Sequence, residues 1–451
     1  MSAQTQMPRG IPYIIGNEAA ERYSYYGMRS ILVVFMTKYL MDAAGNPDHM
    51  TPDEAKSWYH LFGTAAYFFP IIGALISDIF WGKYHTIIRL SVIYCLGHLT
   101  LALFETRFGL AAGLTLIAIG TGGIKPCVSA HVGDQFNKTN QHLLERVFSY
   151  FYFAINFGAF FSILLTPIFL EKFSPGVAFG IPGILMFIAT VVFWMGRNKF
   201  IAIPAAGWDE YKREVLSPKG RKAFLNLGIL YFFIAAFWSL FEQQGSSWVL
   251  QAEQMNRMVD LRFGPLQGDW LHFELLASQI SALNPIIIML LIPVFTHFVY
   301  PGWNKIWKAT PLRKIGTGIF IAALSFAIIA VAQWRLDAGQ NVSILWQFVA
   351  YIFLTAAEVM VSITALEYAY TQAPNTMKSF VMSFYLLSVS FGNSIAAVVN
   401  LVIQNPDGTS KLAGASYFWF FVALTCVFGL GFMFFATKYK EENYVQEIQP
   451  A

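Results

Sequence analysis

Charge is what this chain has least of. Asp, Glu, Lys and Arg make up only 12% of its 451 residues, about half of the roughly 25% carried by a soluble domain. A protein made mostly of water-soluble mass is excluded on that ground. The net charge of +4 is too small to point to nucleic acid and is assigned to basic loops. Cysteine is also scarce. Cys95, Cys127 and Cys426 each stand alone, so neither a disulfide framework nor a metal cluster is expected. The eight histidines are scattered, with no nucleophile–base pair and no metal-ligand spacing. An enzyme is therefore not expected, nor a metal or organic cofactor. No cleavable signal is expected either: "MSAQTQMPRG" is short and polar, and the first span carries charges that a signal core would lack.

What is abundant is apolar. Hydrophobic residues reach 56% and aromatics 17%. Runs of about 20 mostly apolar residues recur, each long enough to cross a hydrocarbon core of about 30 Å. The chain reads as an all-α polytopic membrane protein. Twelve spans are predicted near 12–40, 58–77, 85–104, 110–131, 147–170, 178–197, 223–249, 274–298, 315–334, 344–371, 379–403 and 415–437. The first, seventh and tenth are weak by hydropathy, and these three hold buried charges.

Loop charge sets the orientation. Arg197, Lys199, Lys212, Arg213, Lys219, Arg221 and Lys222 crowd residues 196–222, and Lys305, Lys308, Arg313 and Lys314 crowd 298–314. Both segments follow even-numbered spans. The 41–57 loop is acidic instead, with Asp42, Asp48, Asp53 and Glu54. Both termini are thus expected in the cytoplasm, with the protein multi-pass in the plasma (inner) membrane. The polar linker 198–222 divides an N-terminal six-helix bundle, 1–197, from a C-terminal one, 223–451. Two such bundles around a central cavity resemble the major facilitator superfamily. "GALISDIFWGK" is similar to that superfamily's loop motif, with Gly73, Asp78, Gly82 and Lys83 in G-x4-D-x3-G-K. Its glycines allow a tight turn, and Asp78 can accept from helix N-termini or basic groups. Asp78 and Lys83 are gating candidates.

An ionisable residue at a helix centre costs roughly 2.5–3.5 kcal/mol on insertion scales and faces the protein interior. Here there are Glu18, Glu21, Arg22 and Arg29 in the first span, Lys125 in the fourth, Glu242 in the seventh, and Glu358 and Glu367 in the tenth. Mutual pairing or a wet cavity is required. At about 100° per residue, with Glu18 at zero, Arg22 falls near 40°, Arg29 near 20°, Tyr25 near −20°, Tyr26 near 80° and Glu21 near −60°. They share one face, which is expected to line a cavity. Ile15, Ala20, Ile31 and Val33 lie opposite, toward lipid or packed helices. A simpler reading is an i,i+4 ion pair of Glu18 with Arg22, which leaves Arg29 and the tyrosines unexplained. The halves differ in sign: Arg22, Arg29 and Lys125 in one, Glu242 and Glu358 in the other. That arrangement suits a zwitterion, with its carboxylate toward Arg22 and Lys125 and its ammonium toward Glu358. Glutamates facing low dielectric are expected to carry protons. Tyr67, Asn156 and Asn284 could complete the pocket, the asparagines recognising peptide bonds or merely bonding between helices. His60 could relay protons or sit at an interface. Pro126, Pro285 and Pro374 are expected at kinks or helix ends.

Several stretches resemble the proton-dependent oligopeptide transporter family. "EAAERYSYYG", 18–27, fits its E-x-x-E-R-[FY]-x-Y-Y-G motif, and "FYFAINFGAF", 151–160, its fifth-helix signature. "GTGGIKPCVSAHVGDQF", 120–136, "FWSLFEQQGSSW", 237–248, and "AAEVMVSITALEYAYTQAP", 356–374, are similar to further stretches of the family in the same order, its mammalian members above all. The resemblance implies proton-coupled symport of di- and tripeptides by alternating access, by a monomer needing only protons as coupling ion. It implies that Arg22 and Lys125 hold the peptide carboxyl end and Glu358 its amino end. Tyr25, Tyr26, Tyr67, Asn156, Asn284, Ser362 and Tyr385 would line the pocket. Glu18 and Glu21 would couple protons through a switchable pair with Lys125, joined by His60 and Glu242. Arg29 with Glu242 would form a gating salt bridge. Tyr385, in "FYLLSVSFGN", stands where the family typically has tryptophan. The 198–222 linker leaves no room for extra helices, and the 335–343 loop none for a large extracellular domain. Carriage of nitrate or another small organic anion is the alternative, opposed by Glu358. A channel would show a continuous polar lining, whereas these polar groups cluster at mid-depth.

Overall fold

The computed structural model describes residues 7–136, 140, 143–201, 203–205, 207–260, 262, 268–269, 272–366, 378–407 and 409–438. Glu367 and Pro374 lie outside them. Eleven helices among the described residues are long and apolar enough to cross a membrane. Helix α1 (Ile11–Lys38) is as long, at 28 residues, but is diluted by Glu18, Glu21, Arg22 and Arg29. With it the spans number twelve, as expected.

The N-terminal half continues with α2 (Pro52–Ile76), α3 (Lys83–Leu103), α4 (Arg107–Asp134), α5 (Leu144–Lys172) and α6 (Pro175–Met195). A short helix α7 (Trp208–Val215), not foreseen, sits in the linker. The C-terminal half has α8 (Pro218–Phe241), α9 (Ser247–Ala252), α10 (Leu283–Val294), α11 (Tyr300–Ile306), α12 (Pro311–Asp337), α13 (Leu345–Glu358), α14 (Lys378–Ile403) and α15 (Ala415–Lys438). Between α9 and α10 lies an antiparallel hairpin, β1 (Met258–Asp260) on β2 (His272–Glu274), pairing Val259 with Phe273. The sequence reading did not foresee this either. Each half buries its own core: Ile14, Met28, Ile117, Val128 and Phe179 in the first, Phe237, Trp248, Phe326, Tyr351 and Phe421 in the second.

The second span starts earlier than predicted, at 52 rather than 58. The Thr51 hydroxyl accepts from the Glu54 amide at 3.3 Å, Pro52 opens the helix, and Asp53 and Glu54 fill the first turn. Acids favour that turn through the helix dipole, so these residues belong to a helix start and not to an acidic loop. The seventh span passes from α8 through a 3-10 turn at Glu242–Gly245 into α9. The tenth switches from α to π geometry at Val359–Ile363, directly after Glu358.

Helices α2 and α4 cross with backbones touching. A Cβ at Gly73 would overlap the Gly122 carbonyl, and a Cβ at Gly122 would stand 2.8 Å from Phe69. Small residues permit such contact where no hydrophobic force drives helices together. Gly73→Val is therefore expected to lower the melting midpoint in detergent, with overpacking costing about 1–3 kcal/mol. Gly133→Ala, where a Cβ would meet nothing within 4 Å, is expected to leave the midpoint level or raise it.

Candidate functional site

Between the halves lies a cavity of about 510 Å³. Tyr26, Arg29, Tyr67 and Asn156 line it from one side; Trp238, Glu242, Asn284, Glu358 and Ser362 line it from the other. Arg22, Tyr25, Lys125 and Tyr385 do not reach its lining. The polar face of α1 is thus only partly a cavity wall. Glu18 and Arg29 are eleven residues apart, about 16 Å along the axis at 1.5 Å per residue, too far for one pocket. Glu18 and Glu21 are buried within the first half instead. On the opposite face Ile31 and Val33 are buried against packed helices, whereas Ile15 and Ala20 are only partly buried.

Arg22 is held by both acids of its own helix. Its Nε lies 2.6 Å from Glu18 Oε1 and 3.2 Å from Glu21 Oε2. The expected pairing of Glu18 and Glu21 with Lys125 is not formed in this structure. One helical turn delivers Arg22 to Glu18 at no cost in chain ordering, whereas Lys125 approaches from α4 and is seated on aromatic faces. Its Nζ is 3.8 Å from the Tyr25 ring centroid and 4.1 Å from that of Tyr67, and among the described residues it has no hydrogen-bond partner. Ring quadrupoles attract a cation in this geometry.

Arg29 pairs with Glu242 across the halves, the two side chains 8% and 4% exposed. The guanidinium also stands 4.7 Å from the Tyr59 ring centroid. His60, fully buried, makes a second tie. Its Nδ1 is 2.9 Å from Asn393 Oδ1 and its Nε2 2.9 Å from Ser246 Oγ. The Asn393 amide nitrogen donates to the Val389 carbonyl, so its oxygen faces the ring and accepts from Nδ1–H. Nε2 is then the acceptor of the Ser246 hydroxyl in the neutral ring. Further ties are Lys38 to Glu253 at 2.6 Å, the Ser390 hydroxyl donating to the Thr64 carbonyl at 2.8 Å, Gln404 to Thr51 at 3.0 Å, and Lys56 over the Tyr417 ring at 3.7 Å. All but the Ser390–Thr64 bond, which lies half-way along α2, belong to the end where α1 finishes and α2 begins. Tyr59, Trp238 and Asn393 were missed in the sequence; only their place beside charged positions in helical runs could have flagged them.

On the far wall, Asn284 donates to Glu358 Oε2 at 2.7 Å and to Thr355 Oγ1 at 3.2 Å. Ser362 Oγ is 2.9 Å from Tyr385 Oη. Asp78 and Lys83 lie at the opposite end of the molecule from Lys38. Lys83 pairs with Asp134 at 2.7 Å, not with Asp78, because α3 begins beside the C-terminus of α4. Gly82, at φ +72°, makes the tight turn expected of it. The cysteines are unpaired.

A family profile described as PTR2, POT family, matches residues 84–209 and 208–420. Peptide transporter 3 of Caenorhabditis elegans is 35% identical over 378 residues, covering 73% of this chain and 51% of the relative. Solute carrier family 15 member 2 of Homo sapiens is 35% identical over 382 residues, 73% of this chain and 49% of the relative. The chain spans about half the length of the curated relatives it matches. Among solved structures, an auto-inhibited POT family peptide transporter superposes with a TM-score of 0.86 at 35% identity, over 98% of this chain and 99% of that one. A POT family transporter crystallised in meso gives 0.85 at 36% identity, over 96% and 99%.

Removing one member of a buried ion pair strands the other charge, at a cost of about 3–5 kcal/mol. Glu242→Gln is expected to destabilise the folded protein in a detergent thermal melt, and the double variant Arg29→Gln/Glu242→Gln to recover part of that loss.

Proposed function

The chain belongs to the POT family, and from that membership we propose a proton-coupled symporter that imports di- and tripeptides by alternating access. The observation that carries this reading is the polarity of the cavity: the Glu358 carboxylate on one wall, with the cations Arg29, Lys125 and Arg22 on or behind the other. A zwitterion of peptide length spans those walls. Its ammonium meets Glu358, oriented by Asn284. Its carboxylate is drawn toward Lys125, which lies under Tyr25 and Tyr67 and has no carboxylate partner among the described residues. Arg22 joins once its acids are neutralised. Glu358 would repel a purely anionic substrate such as nitrate.

Protons enter through the carboxylates that hold the arginines. Protonation of Glu18 or Glu21 weakens the grip on Arg22, and protonation of Glu242 releases Arg29. In this account His60 transmits the change between α2 and α14. Asp78 and Lys83, with Asp134, govern the opposite end. The division into bundles 1–197 and 223–451 joined by 198–222, cytoplasmic termini, residence in the plasma membrane and a monomeric working unit all belong to the same proposal. Protons are the only coupling ion it needs, with no cofactor.

Reconstitution in liposomes with an inward proton gradient tests it directly. Labelled dialanine is expected to accumulate above a protonophore control. Absence of that uptake, together with uptake of nitrate, overturns the reading. Loss of a charged hydrogen bond is worth about 1.5–3 kcal/mol, so Glu358→Gln is expected to cut dialanine uptake by about 10–100-fold. An N-acetylated dipeptide, which carries no ammonium, should lose far less; equal loss on both would remove Glu358 from the ammonium role.

A further inference from the structure

One turn beyond Glu358 the cavity wall changes character. Ser362 and Glu358 both line it, on the same run of helix through the π turn Val359–Ile363. The lining also includes the apolar Trp238, Ile288, Ile363 and Leu366, two of which, Ile363 and Leu366, follow Ser362 in the chain. Into it is set a pair of hydroxyls. Ser362 Oγ is 2.9 Å from Tyr385 Oη, and the phenol also lies 3.4 Å from the Ser362 carbonyl. Tyr385 is only 6% exposed, its ring wedged edgewise against Tyr231 and Trp238 at 5.7 and 6.3 Å between centroids. The phenol cannot swing away. It is placed to donate to the Ser362 carbonyl at 3.4 Å, and either hydroxyl can be the donor in the 2.9 Å contact between them. With either donor, Ser362 Oγ, on the cavity lining, keeps hydrogen-bonding capacity beyond the contact with Tyr385.

The position of this pair follows from the peptide reading of the cavity, on which the inference rests. With the ammonium at Glu358, the first side chain of a peptide starts two bonds from the amino nitrogen. A helical turn advances about 5.4 Å, which sets Ser362 beside the β- and γ-atoms of that side chain. We propose that the Ser362–Tyr385 hydroxyl pair selects the first side chain of the peptide, favouring one with a hydrogen-bonding group at the γ-position over its apolar isostere. Threonine and valine differ by that group alone. An apolar wall by itself ranks valine above threonine, because burying a hydroxyl without a partner is unfavourable. The pair reverses the order, since a hydrogen bond is gained with threonine and the polar capacity of Ser362 Oγ is left unmet with valine. The two accounts therefore predict opposite signs.

The test is competition of unlabelled Thr-Ala and Val-Ala against labelled dialanine in proteoliposomes. Wild type is expected to be inhibited by Thr-Ala at about 3–10-fold lower concentration than by Val-Ala, the span of one net hydrogen bond. Ser362→Val should reverse the order, and Ser362→Thr, isosteric with it but keeping the hydroxyl, should retain it. Tyr385→Phe, which preserves the ring and removes the hydroxyl, should shrink the ratio. Preference for Val-Ala in wild type, or the same ratio in Ser362→Val and Ser362→Thr, overturns the proposal while leaving peptide transport standing. Absence of dialanine uptake in wild type overturns both.

Discussion

Arg29 and Glu242 face each other from opposite halves of the chain, both almost wholly removed from water. Neither charge tolerates that position alone, because an uncompensated ion in low dielectric costs several kcal/mol. The two halves are therefore held together at that point whenever both groups are ionised. The ring of Tyr59 against the guanidinium and the His60 bonds to Asn393 and Ser246 surround the pair and keep solvent out. The remaining ties, from Lys38–Glu253 to Lys56–Tyr417, extend the seal to the same end. Two cores that are internally packed and jointed at one end can exchange access only by giving up these contacts.

The cavity inherits its asymmetry from the same division. Acids on α13 and after α8 face a half whose cations are each engaged differently: Arg29 by a partner across the gap, Arg22 by two acids of its own helix, Lys125, among the described residues, by aromatic rings. In the proposed reading, a substrate carboxylate that reaches past Tyr67 to Lys125, behind the cavity wall, displaces only cation–ring contacts. In the proposed symport, a proton on Glu18, Glu21 or Glu242 would change that balance by freeing an arginine, and coupling of proton and substrate would need no further device than this competition for three cations.

Much of the fold was legible from apolar run length and from the punctuation between runs. The angular position of charges on α1 was legible too: Glu18, Arg22, Tyr25 and Arg29 do share a face. Partner choice was not. Periodicity tells which face a carboxylate occupies, but not whether it finds the arginine one turn away or a lysine on another helix, and the nearer group holds it here. Lys83 bonding Asp134 rather than Asp78 has the same cause, since the meeting of α3 and α4 is set by tertiary packing. The start of α2 is different. Thr51-Pro52-Asp53-Glu54 carries a cap, a proline in the first turn and two acids, and reading it as an acidic loop missed a signal that was present. The hairpin β1–β2 is too short for any alternation to show.

In the proposed transport cycle, the end sealed by Arg29–Glu242 must open at every turnover. Lys38 and Glu253, whose side chains touch at 2.6 Å at that end, allow it to be tested. With Cys95, Cys127 and Cys426 replaced, Lys38→Cys/Glu253→Cys can be bridged by a short reducible cross-linker and dialanine uptake measured in liposomes before and after reduction. Uptake should vanish in the bridged protein and return with reductant. Full uptake with the bridge intact would contradict the claim.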